Sequence, residues 1–483
     1  MDVLKTAAAA RPDPGHVFVA ALLIAALARL LLLGAFPLTD ATEARYGEIA
    51  REMLATGNWI TPQLDPGVAY WAKPPLSMWL TALSLALLGV GAFAARLPHF
   101  LLGCAVCLLV YRFARQAWDA HQGALAAVIL ATTPIFFASS GAVMTDMTLV
   151  LGTTLAMVGF WRSVNDGHPS CRHRYGLFVG LAIGLLAKGP VALALTLPSM
   201  GLWVILAGRT RDAIGRIPWT RGALLTAVLA LPWYAVAEAR TPGFLDYFIV
   251  GEHWRRFTEP GWTGDLYHYV HASRRGTIWL YALLVTLPWC LPALGVLALR
   301  WRRKEAMDGL HDPVVLYLML WLTAPLLLFT LARNILWTYV LPSAPAFALL
   351  AAHELRAVAL RRPLWIGALA VAVPAGAIAA SMWLLPERLP QLSKQALVAR
   401  YFEARPSPES QLLFVAKSPY SAQFYGNGHT RSVGAAELSA LTSLGNNLLA
   451  VRTADLAALP ALLRARTEVV ARHGDYVLMR DRG

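Results

Sequence analysis

The sequence predicts an all-α protein that crosses a membrane many times and ends in a small soluble α/β domain. Of its 483 residues, 57% are hydrophobic and only 14% are charged, and the mean hydropathy is +0.52. That composition leaves too little polar surface for a soluble protein of this length. The apolar residues also form long runs, in the range of the roughly 20 residues that a helix needs to cross a bilayer. After Pro386 the chain becomes more polar and short β-like runs appear.

Eleven apolar runs predict membrane-spanning helices. A twelfth run, 76–90, is short and begins directly after Pro74 and Pro75, so it fits either a further span or a segment lying along the membrane surface. The eleven runs are 16–36, 94–111, 123–138, 142–161, 175–187, 190–207, 222–238, 276–299, 313–331, 334–352 and 363–385.

The distribution of charge among the loops indicates whether 76–90 crosses the membrane or lies along its surface. If that run does not cross, most loop Lys and Arg residues fall on one side, which the positive-inside bias makes the cytoplasm. If it crossed, every later loop would change sides and the bias would vanish. The sequence therefore predicts an N-terminus inside, a C-terminus outside and two long outer loops, 37–93 and 239–275. The Lys and Arg residues of the short loops between spans explain the net charge of +14 without nucleic acid, and affinity for anionic lipid headgroups is a weaker reading.

The change in composition at Pro386 predicts a domain boundary. Residues 1–386 would form the membrane domain, and residues 387–483 a small α/β domain outside the membrane. Strand-like runs at 411–416, 447–451 and 476–480 and a helical pattern at 453–465 support the second domain.

The first outer loop opens with acidic residues just beyond a span. Asp40, Glu43 and Arg45 lie in a stretch that predicts a helix from about Thr42, with Thr42 or Asp40 as its cap. A solvated amphipathic helix with a capping acid explains these residues about as well as a catalytic site does.

Three more charged residues lie at the predicted outer ends of spans. Lys73 precedes two prolines that hold it close to the bilayer, where it could bind a lipid phosphate or simply snorkel. Asp146 begins a span, where an acid either faces a polar cavity or caps the helix. Lys188 is the single charge in the turn between two spans.

The later outer segments supply cations and a histidine. Arg255 and Arg256 could bind a phosphate through paired hydrogen bonds, and His253 could ligate a metal or relay a proton. A lone histidine without ligand spacing is weak evidence for a metal. Arg333 lies in a turn, and Tyr339 follows it in the next span. These residues share one predicted face, which suits an anionic lipid substrate.

Several motifs resemble one family of membrane glycosyltransferases. DATEARYGEIAREML at 40–54, AKPPLSMWL at 72–80, MTD at 144–146, LLAKGP at 185–190 and RNILWTYVLP at 333–342 are similar to motifs of the aminoarabinose transferase and protein O-mannosyltransferase family. The motifs occur in the family's order over roughly 16–350. The resemblance implies a GT-C fold in a bacterial inner membrane, with the site on the periplasmic side. It implies sugar transfer from undecaprenyl or dolichyl phosphate to an acceptor such as lipid A.

The resemblance also implies roles for individual residues. It places an acid near the reaction centre at Asp40 or Glu43 and a second acid at Asp146. It places phosphate contacts at Lys73 and at Arg255 and Arg256, with Tyr339 near the donor. Donor contacts are also expected of Arg45, Lys188 and Arg333.

Two departures from the family pattern bear on the site. Aminoarabinose transferases usually carry Asp-Glu before the Arg-Tyr pair, where this chain has Thr42-Glu43. They usually carry Glu before the Lys-Pro, where this chain has Ala72. Without that Glu, His253 lacks a possible partner for binding a divalent metal. Both departures also weaken the assignment of aminoarabinose as the sugar.

The predicted reaction is displacement at the anomeric carbon with the lipid phosphate as leaving group. A hydroxyl acceptor would need a carboxylate base, first Asp40 and then Asp146, whereas a lipid A phosphate would not. We expect Asp40→Asn or Lys73→Ala to abolish transfer. The alternatives are a protein O-mannosyltransferase-like enzyme and a transporter of lipid-linked sugars. A transporter should show repeats and mid-membrane charges, and Arg29 is the one such charge in the sequence.

Overall fold

A helical membrane body is followed by a C-terminal region that contains a five-stranded sheet. The computed structural model describes residues 13–40, 42–65, 67–259, 262–264, 266–267, 273–303, 312–332, 334–383 and 385–482. The helices of the body are α1 Pro14–Ala35, α2 Glu43–Thr56, α3 Leu76–Leu88, α4 Ala92–Ala117, α5 Ala120–Thr132, α6 Pro134–Ser139, α7 Asp146–Asn165, α8 Cys171–Lys188, α9 Val191–Leu206, α10 Thr210–Arg216, α11 Trp219–Arg240, α12 Arg256–Thr258, α13 Thr277–Val285, α14 Cys290–Arg302, α15 Pro313–Thr330, α16 Ala344–Arg361 and α17 Pro363–Trp383.

Two irregular helical segments and one hairpin complete the body. Asp246–Arg255 forms a π-helix that leads directly into α12, and Trp337–Ser343 forms a 3₁₀-helix that leads into α16. Strands β1 Gln63–Asp65 and β2 Val68–Ala69 pair antiparallel between α2 and α3. All three irregular pieces lie in or beside the outer segments that the sequence marks as functional.

The length and composition of the helices confirm a multi-pass membrane protein. Six described helices are long and apolar enough to cross a bilayer, or seven if the bent pair of α13 and α14 counts as one span. Helix α3 has 13 residues and is therefore about 20 Å long, shorter than a hydrocarbon core of roughly 30 Å. The predicted count of eleven spans and the surface position of 76–90 stay predictions.

Prolines divide several of the apolar runs that the sequence presents as continuous. The run at 123–138 becomes α5 and α6, separated at Thr133 before Pro134. The run at 276–299 breaks between α13 and α14, which meet at 104° on either side of Pro288. Proline lacks a backbone N–H and its ring crowds the preceding turn, so a helix ends or bends there.

Helices α7 and α8 approach each other through glycine. A Cβ added at Gly180 would lie 2.5 Å from the backbone oxygen of Gly152 and the backbone nitrogen of Ala156, and one added at Gly159 would lie 2.6 Å from the nitrogen of Leu177. Such small residues let two membrane helices come together backbone to backbone. The pair forms a tight hairpin, with Asp146 at the start of α7 and Lys188 at the end of α8.

Replacing Gly180 with valine is expected to destabilise the protein, because its new side chain would collide with the backbone of α7. Overpacking of this kind typically costs about 1–3 kcal/mol. Thermal unfolding in detergent should show a lower melting temperature for Gly180→Val. Gly201→Val is the matched control, since a Cβ at Gly201 in α9 would meet nothing within 4 Å. An equal shift in both variants would mean that close packing of α7 on α8 is not the cause.

The C-terminal region folds around a five-stranded sheet, which confirms the predicted α/β character. The strand order is β4-β3-β5-β7-β6, with β3, β4 and β5 parallel and β7 and β6 antiparallel to their neighbours. The domain boundary at Pro386 stays a prediction. The elements are α18 Leu385–Leu392, α19 Gln395–Ala404, β3 Leu412–Val415, α20 Tyr420–Gly426, β4 Thr430–Val433, α21 Ala435–Ala440, β5 Leu448–Arg452, a 3₁₀-helix Thr453–Ala458, α22 Ala461–Arg466, β6 Thr467–His473 and β7 Tyr476–Asp481.

Candidate active site

The α7–α8 hairpin holds the first ion pair of the site. Asp146 is the first residue of α7 and Lys188 the last of α8. Their side chains meet at 2.8 Å between Nζ and Oδ1, and the Lys188 ammonium lies 5.5 Å from the centre of the Tyr339 ring. An acid at a helix N-terminus and a cation at a helix C-terminus both oppose the partial charge of the helix end. The pair is therefore stabilised by the helices that carry it.

A second cluster forms around Glu252 in the π-helix. Arg256, one helical turn later, places Nη1 2.9 Å from both carboxylate oxygens, and Lys73 places Nζ 3.4 Å from Oε2. Tyr247 donates a further hydrogen bond of 3.2 Å from its hydroxyl. Burial alone would raise the pKa of Glu252, but the charges of Lys73 and Arg256 outweigh it and hold that pKa below its ordinary value. Glu252 is thus an ionised carboxylate at neutral pH.

The two clusters line two adjoining cavities. The polar cavity has a volume of about 130 Å³ and the apolar cavity about 400 Å³. Both are lined by the same seven residues, so the charged groups stand where the cavities meet. The shared residues are Lys73, Asp146, Lys188, Glu252, Arg256, Thr338 and Tyr339.

The polar cavity carries an excess of positive charge. Among the residues that the structure describes, its lining has four cations and two carboxylates, for a formal charge of +2. Arg45 is one of these cations, and its guanidinium lies 5.0 Å from the centre of the Tyr46 ring and 5.6 Å from that of Tyr70. A small polar chamber with this charge can hold a phosphate group, while the apolar chamber beside it can hold a lipid chain.

The structure brings together six of the residues predicted from the sequence. Arg45, Lys73, Asp146, Lys188, Arg256 and Tyr339 all line the polar cavity. Asp40, Glu43 and Arg255 are absent from the described lining of either cavity, and Arg255 is exposed. Arg333 lies outside the described residues. The catalytic and binding roles of all these residues stay predictions.

Asp40 binds the C-terminal domain. Its carboxylate accepts a 2.7 Å hydrogen bond from the Ser421 backbone and a 2.5 Å hydrogen bond from the Ser421 hydroxyl. Burial raises the pKa of Asp40 above its ordinary value, more than those hydrogen bonds lower it. Thr42 occupies the N-cap position of α2 as predicted, but its side chain makes no capping hydrogen bond. Asp40 is not the cap, because its carboxylate oxygens accept from Ser421.

Glu43 is held in a separate ion pair with Arg96. Two hydrogen bonds of 2.9 and 2.7 Å join the guanidinium of Arg96 to the two oxygens of Glu43. Arg96 also donates to the carbonyls of Leu33, Phe36 and Pro37 at the end of α1. The Glu43–Arg96 pair thus ties the start of α2 to the end of α1 and the first turns of α4.

His253 makes two contacts with backbone oxygens. Nδ1 lies 2.7 Å from the carbonyl of Phe248 and Nε2 lies 3.0 Å from the carbonyl of Lys188. Burial lowers the pKa of His253, although both carbonyls favour its protonated form. Among the described residues, no three His, Cys, Asp or Glu side chains are grouped so that they could hold a metal ion. Both ring nitrogens of His253 face backbone oxygens, and its role as a metal ligand stays a prediction.

Arg29, the charge inside the first span, lies outside both cavities. Its Nη2 donates a 2.8 Å hydrogen bond to the carbonyl of Ala138. A Cβ at Gly141 would lie only 2.4 Å from the guanidinium, so glycine makes room for it there. Arg29 is thus part of the packing of α1 on α6.

Glu252 is the main site residue that the sequence did not single out. Its spacing of four residues from Arg256 is a signal for an ion pair on one helical face. Thr42 lines the polar cavity at the position where the family pattern has an acid, and Tyr70, Tyr267 and Thr338 line it as well. Aromatic residues at membrane depth are common anchors, so nothing in the sequence separates Tyr70 or Tyr267 from the rest.

Glu252→Gln is expected to lower stability at neutral pH, because it leaves Lys73 and Arg256 without their shared carboxylate. Breaking a largely buried cluster in this way costs roughly 3 kcal/mol. Since the folded pKa of Glu252 is depressed, its contribution is present above the unfolded pKa and is lost as pH falls through the folded one. The difference in melting temperature between wild type and Glu252→Gln should therefore shrink below pH 4.5, the ordinary glutamate value.

Glu403→Gln is the control for that experiment, since Glu403 pairs with Arg400 on an exposed helix. Its melting temperature should stay close to that of the wild type throughout. A pH-independent effect of Glu252→Gln would show that the carboxylate charge is not what stabilises the cluster.

A comparison with protein families matches the first half of the chain. Residues 19–248 match the family described as dolichyl-phosphate-mannose-protein mannosyltransferase. The undecaprenyl phosphate-alpha-4-amino-4-deoxy-L-arabinose arabinosyl transferase of Aeromonas hydrophila is 33% identical over 332 residues, which are 67% of this chain and 57% of that protein. Its counterpart in Erwinia tasmaniensis is 31% identical over 321 residues, 65% of this chain and 54% of that protein. The chain thus aligns with just over half the length of these relatives.

Solved structures match almost the whole chain. ArnT from Cupriavidus metallidurans in the apo state superposes with a TM-score of 0.78 at 21% identity, covering 96% of this chain and 97% of that one. The same protein bound to undecaprenyl phosphate gives a TM-score of 0.76 at 20% identity and the same coverage. At this level of identity, the likeness establishes the fold, including a C-terminal domain of matching extent.

Proposed function

Because the chain belongs to the family of membrane glycosyltransferases that contains the aminoarabinose and protein mannosyl transferases, we propose that it transfers a sugar from undecaprenyl phosphate to lipid A. The sugar is 4-amino-4-deoxy-L-arabinose or a close relative of it. The observation that carries this proposal is the positively charged polar cavity that adjoins an apolar one. A polyprenyl phosphate has the same division between a small anionic head and a long apolar chain.

The reaction is a displacement at the anomeric carbon. An acceptor oxygen forms a bond to that carbon while the bond to the lipid phosphate breaks, and the departing phosphate keeps the electron pair. Charge thus develops on the phosphate, and fixed cations stabilise it best where water is scarce. Lys73, Lys188, Arg45 and Arg256 are the cations available in the polar cavity.

The pairing of the carboxylates favours an acceptor that is already anionic. Asp146 is bound to Lys188, and Glu252 to Lys73 and Arg256, so both described acids of the cavity have cationic partners. A carboxylate held this way is a poor base. A lipid A phosphate needs no base, because its oxygen reaches the site without a proton to lose.

A hydroxyl acceptor, as in a protein O-mannosyltransferase, is the second candidate. It would require a base within reach of the anomeric carbon. Asp146 and Glu252 both line the two cavities, and Asp146 is the one that the sequence predicted as a base. For Asp40 and Glu43 we propose supporting roles, because each is bound to another part of the fold.

We place the site on the periplasmic side of the inner membrane. The basic loops predict that the N-terminus is cytoplasmic and the C-terminus periplasmic. The packing of α20 from the C-terminal domain on α2 beside the cavity supports this placement, since both must then lie on one side.

The test is transfer by the purified protein in vesicles that contain the lipid-linked sugar and lipid A. Mass spectrometry should detect lipid A carrying the added sugar, and undecaprenyl phosphate should accumulate in equal amount. A modified peptide in place of modified lipid A would favour the second candidate. Movement of the donor between leaflets without any transfer would overturn the proposal in favour of a transporter.

A further inference from the structure

The segment that leads into α2 is hydrogen-bonded to the C-terminal domain. The backbone nitrogen of Leu38 donates a 2.7 Å hydrogen bond to the hydroxyl of Tyr425, and that of Asp40 donates one of 2.7 Å to the carbonyl of Leu392. The carboxylate of Asp40 accepts two more from Ser421, which is fully buried. Four hydrogen bonds thus fix Leu38 and Asp40 to elements that come more than 350 positions later in the chain.

Helix α2 itself packs on α20 of the same domain. Phe424 is fully buried in one hydrophobic cluster with Ile49, Ala50 and Met53 of α2. A Cβ added at Gly47 would lie 3.3 Å from the Phe424 ring, so the absence of a side chain there permits the close approach. The C-terminal domain therefore supports α2 along its length as well as at its entry.

The same helix forms one wall of the polar cavity. That cavity is lined by Thr42, Arg45 and Tyr46, which follow the hydrogen-bonded segment within a few residues. The Arg45 guanidinium lies between the rings of Tyr46 and Tyr70, whose hydroxyls are 3.3 Å apart. A shift of α2 would therefore move a phosphate-binding cation and its two aromatic neighbours together.

We propose that Asp40 is a positioning residue through which the C-terminal domain sets the place of Arg45 and Tyr46 in the cavity. The effect that we expect on donor binding rests on the proposed function. The contact between Asp40 and Ser421 exists without any substrate. It gives Asp40 a role that requires two hydrogen-bond acceptors and no transfer of a proton. It also gives the C-terminal domain a part in building the site, although no residue of that domain lines the described cavities.

The choice of variant separates positioning from acid–base chemistry. Asparagine keeps one oxygen that can accept from the Ser421 backbone, and its amide group can donate to the Ser421 hydroxyl. Asp40→Asn should therefore keep most of the contact with Ser421. Asp40→Ala loses both hydrogen bonds and Ser421→Ala loses one. Ser439→Ala is the matched control, since the hydroxyl of Ser439 bonds within its own helix, to the carbonyl of Ala436.

Hydrogen exchange of the ligand-free protein and steady-state transfer kinetics together make the test. We expect faster exchange over residues 42–47 in Asp40→Ala and Ser421→Ala than in wild type, Asp40→Asn or Ser439→Ala. We also expect the donor KM of Asp40→Ala to rise several-fold while kcat stays within about twofold, the pattern of lost uniform binding.

Two outcomes would overturn the inference. Unchanged exchange in both Asp40→Ala and Ser421→Ala would do so whatever the transfer assay gives, so this failure is distinct from a failure of the proposed function. Loss of kcat in Asp40→Asn with unchanged exchange would also do so, because it would make Asp40 a reacting group.

Discussion

Lys73→Ala is expected to reduce kcat/KM for transfer by about a hundredfold or more, the usual effect of removing one fixed charge from a site where negative charge develops. Lys73 stands where the polar and apolar cavities meet, with its ammonium 3.4 Å from Glu252 and 2.6 Å from the carbonyl of Ala72. It is therefore placed to contact a phosphate whose chain lies in the apolar cavity. Radiolabelled or mass-detected transfer in vesicles, together with binding of undecaprenyl phosphate, measures the effect.

The control for Lys73→Ala is Lys417→Ala. Lys417 is an exposed cation of the C-terminal domain that packs on Tyr420, so its removal changes the net charge equally and leaves the cavity intact. Transfer by Lys417→Ala should match that of the wild type. Full transfer by Lys73→Ala with unchanged affinity for undecaprenyl phosphate would remove Lys73 from the binding site.

Breaking the Asp146–Lys188 pair is expected to damage both stability and activity. Asp146→Asn leaves the Lys188 ammonium without its partner, and Lys188→Met leaves the carboxylate without its own. Removing one member of a buried pair typically costs about 3–5 kcal/mol, whereas removing both is often close to neutral. Each single variant should therefore melt well below the wild type, and the double variant should recover most of the loss.

A transfer assay distinguishes a catalytic role of the Asp146–Lys188 pair from a purely structural one. We expect the double variant Asp146→Asn/Lys188→Met to stay inactive in the transfer assay although its melting temperature is restored. Such a result would show that the charges serve the reaction as well as the fold. Recovery of transfer together with stability would mean that the pair only holds α7 and α8 in place.

Local patterns in the sequence located most of the charged cavity. Lys73, Asp146, Lys188 and Arg256 each stand at a predicted span end or in a predicted outer loop, and charges close to the membrane are candidates for a function. The family resemblance and the all-α membrane fold with its C-terminal domain are confirmed. These features depend on hydrophobic runs and on residues near each other in the chain, so a single sequence is enough to predict them.

Contacts between distant residues were not predictable in the same way. Asp40 and Ser421 are 381 positions apart, and no pattern around either residue indicates the other. Glu252 and Lys73 are 179 positions apart in the sequence. Glu252 lies in a π-helix, which no hydrophobic periodicity in the sequence predicts. The short strands β4 and β6 mix polar and apolar residues, whereas β3, β5 and β7 begin as continuous apolar runs, so only these three stood out.

The +2 charge of the polar cavity has a consequence for turnover. The sugar donor that we propose is a phosphodiester with one negative charge, whereas the carrier left behind would be a monoester with a charge of about −1.5 to −2 at neutral pH. A cavity with two excess cations therefore holds the spent carrier more tightly than the fresh donor. We therefore expect mild acid to hasten release of the carrier by protonating its phosphate near the second pKa of about 6.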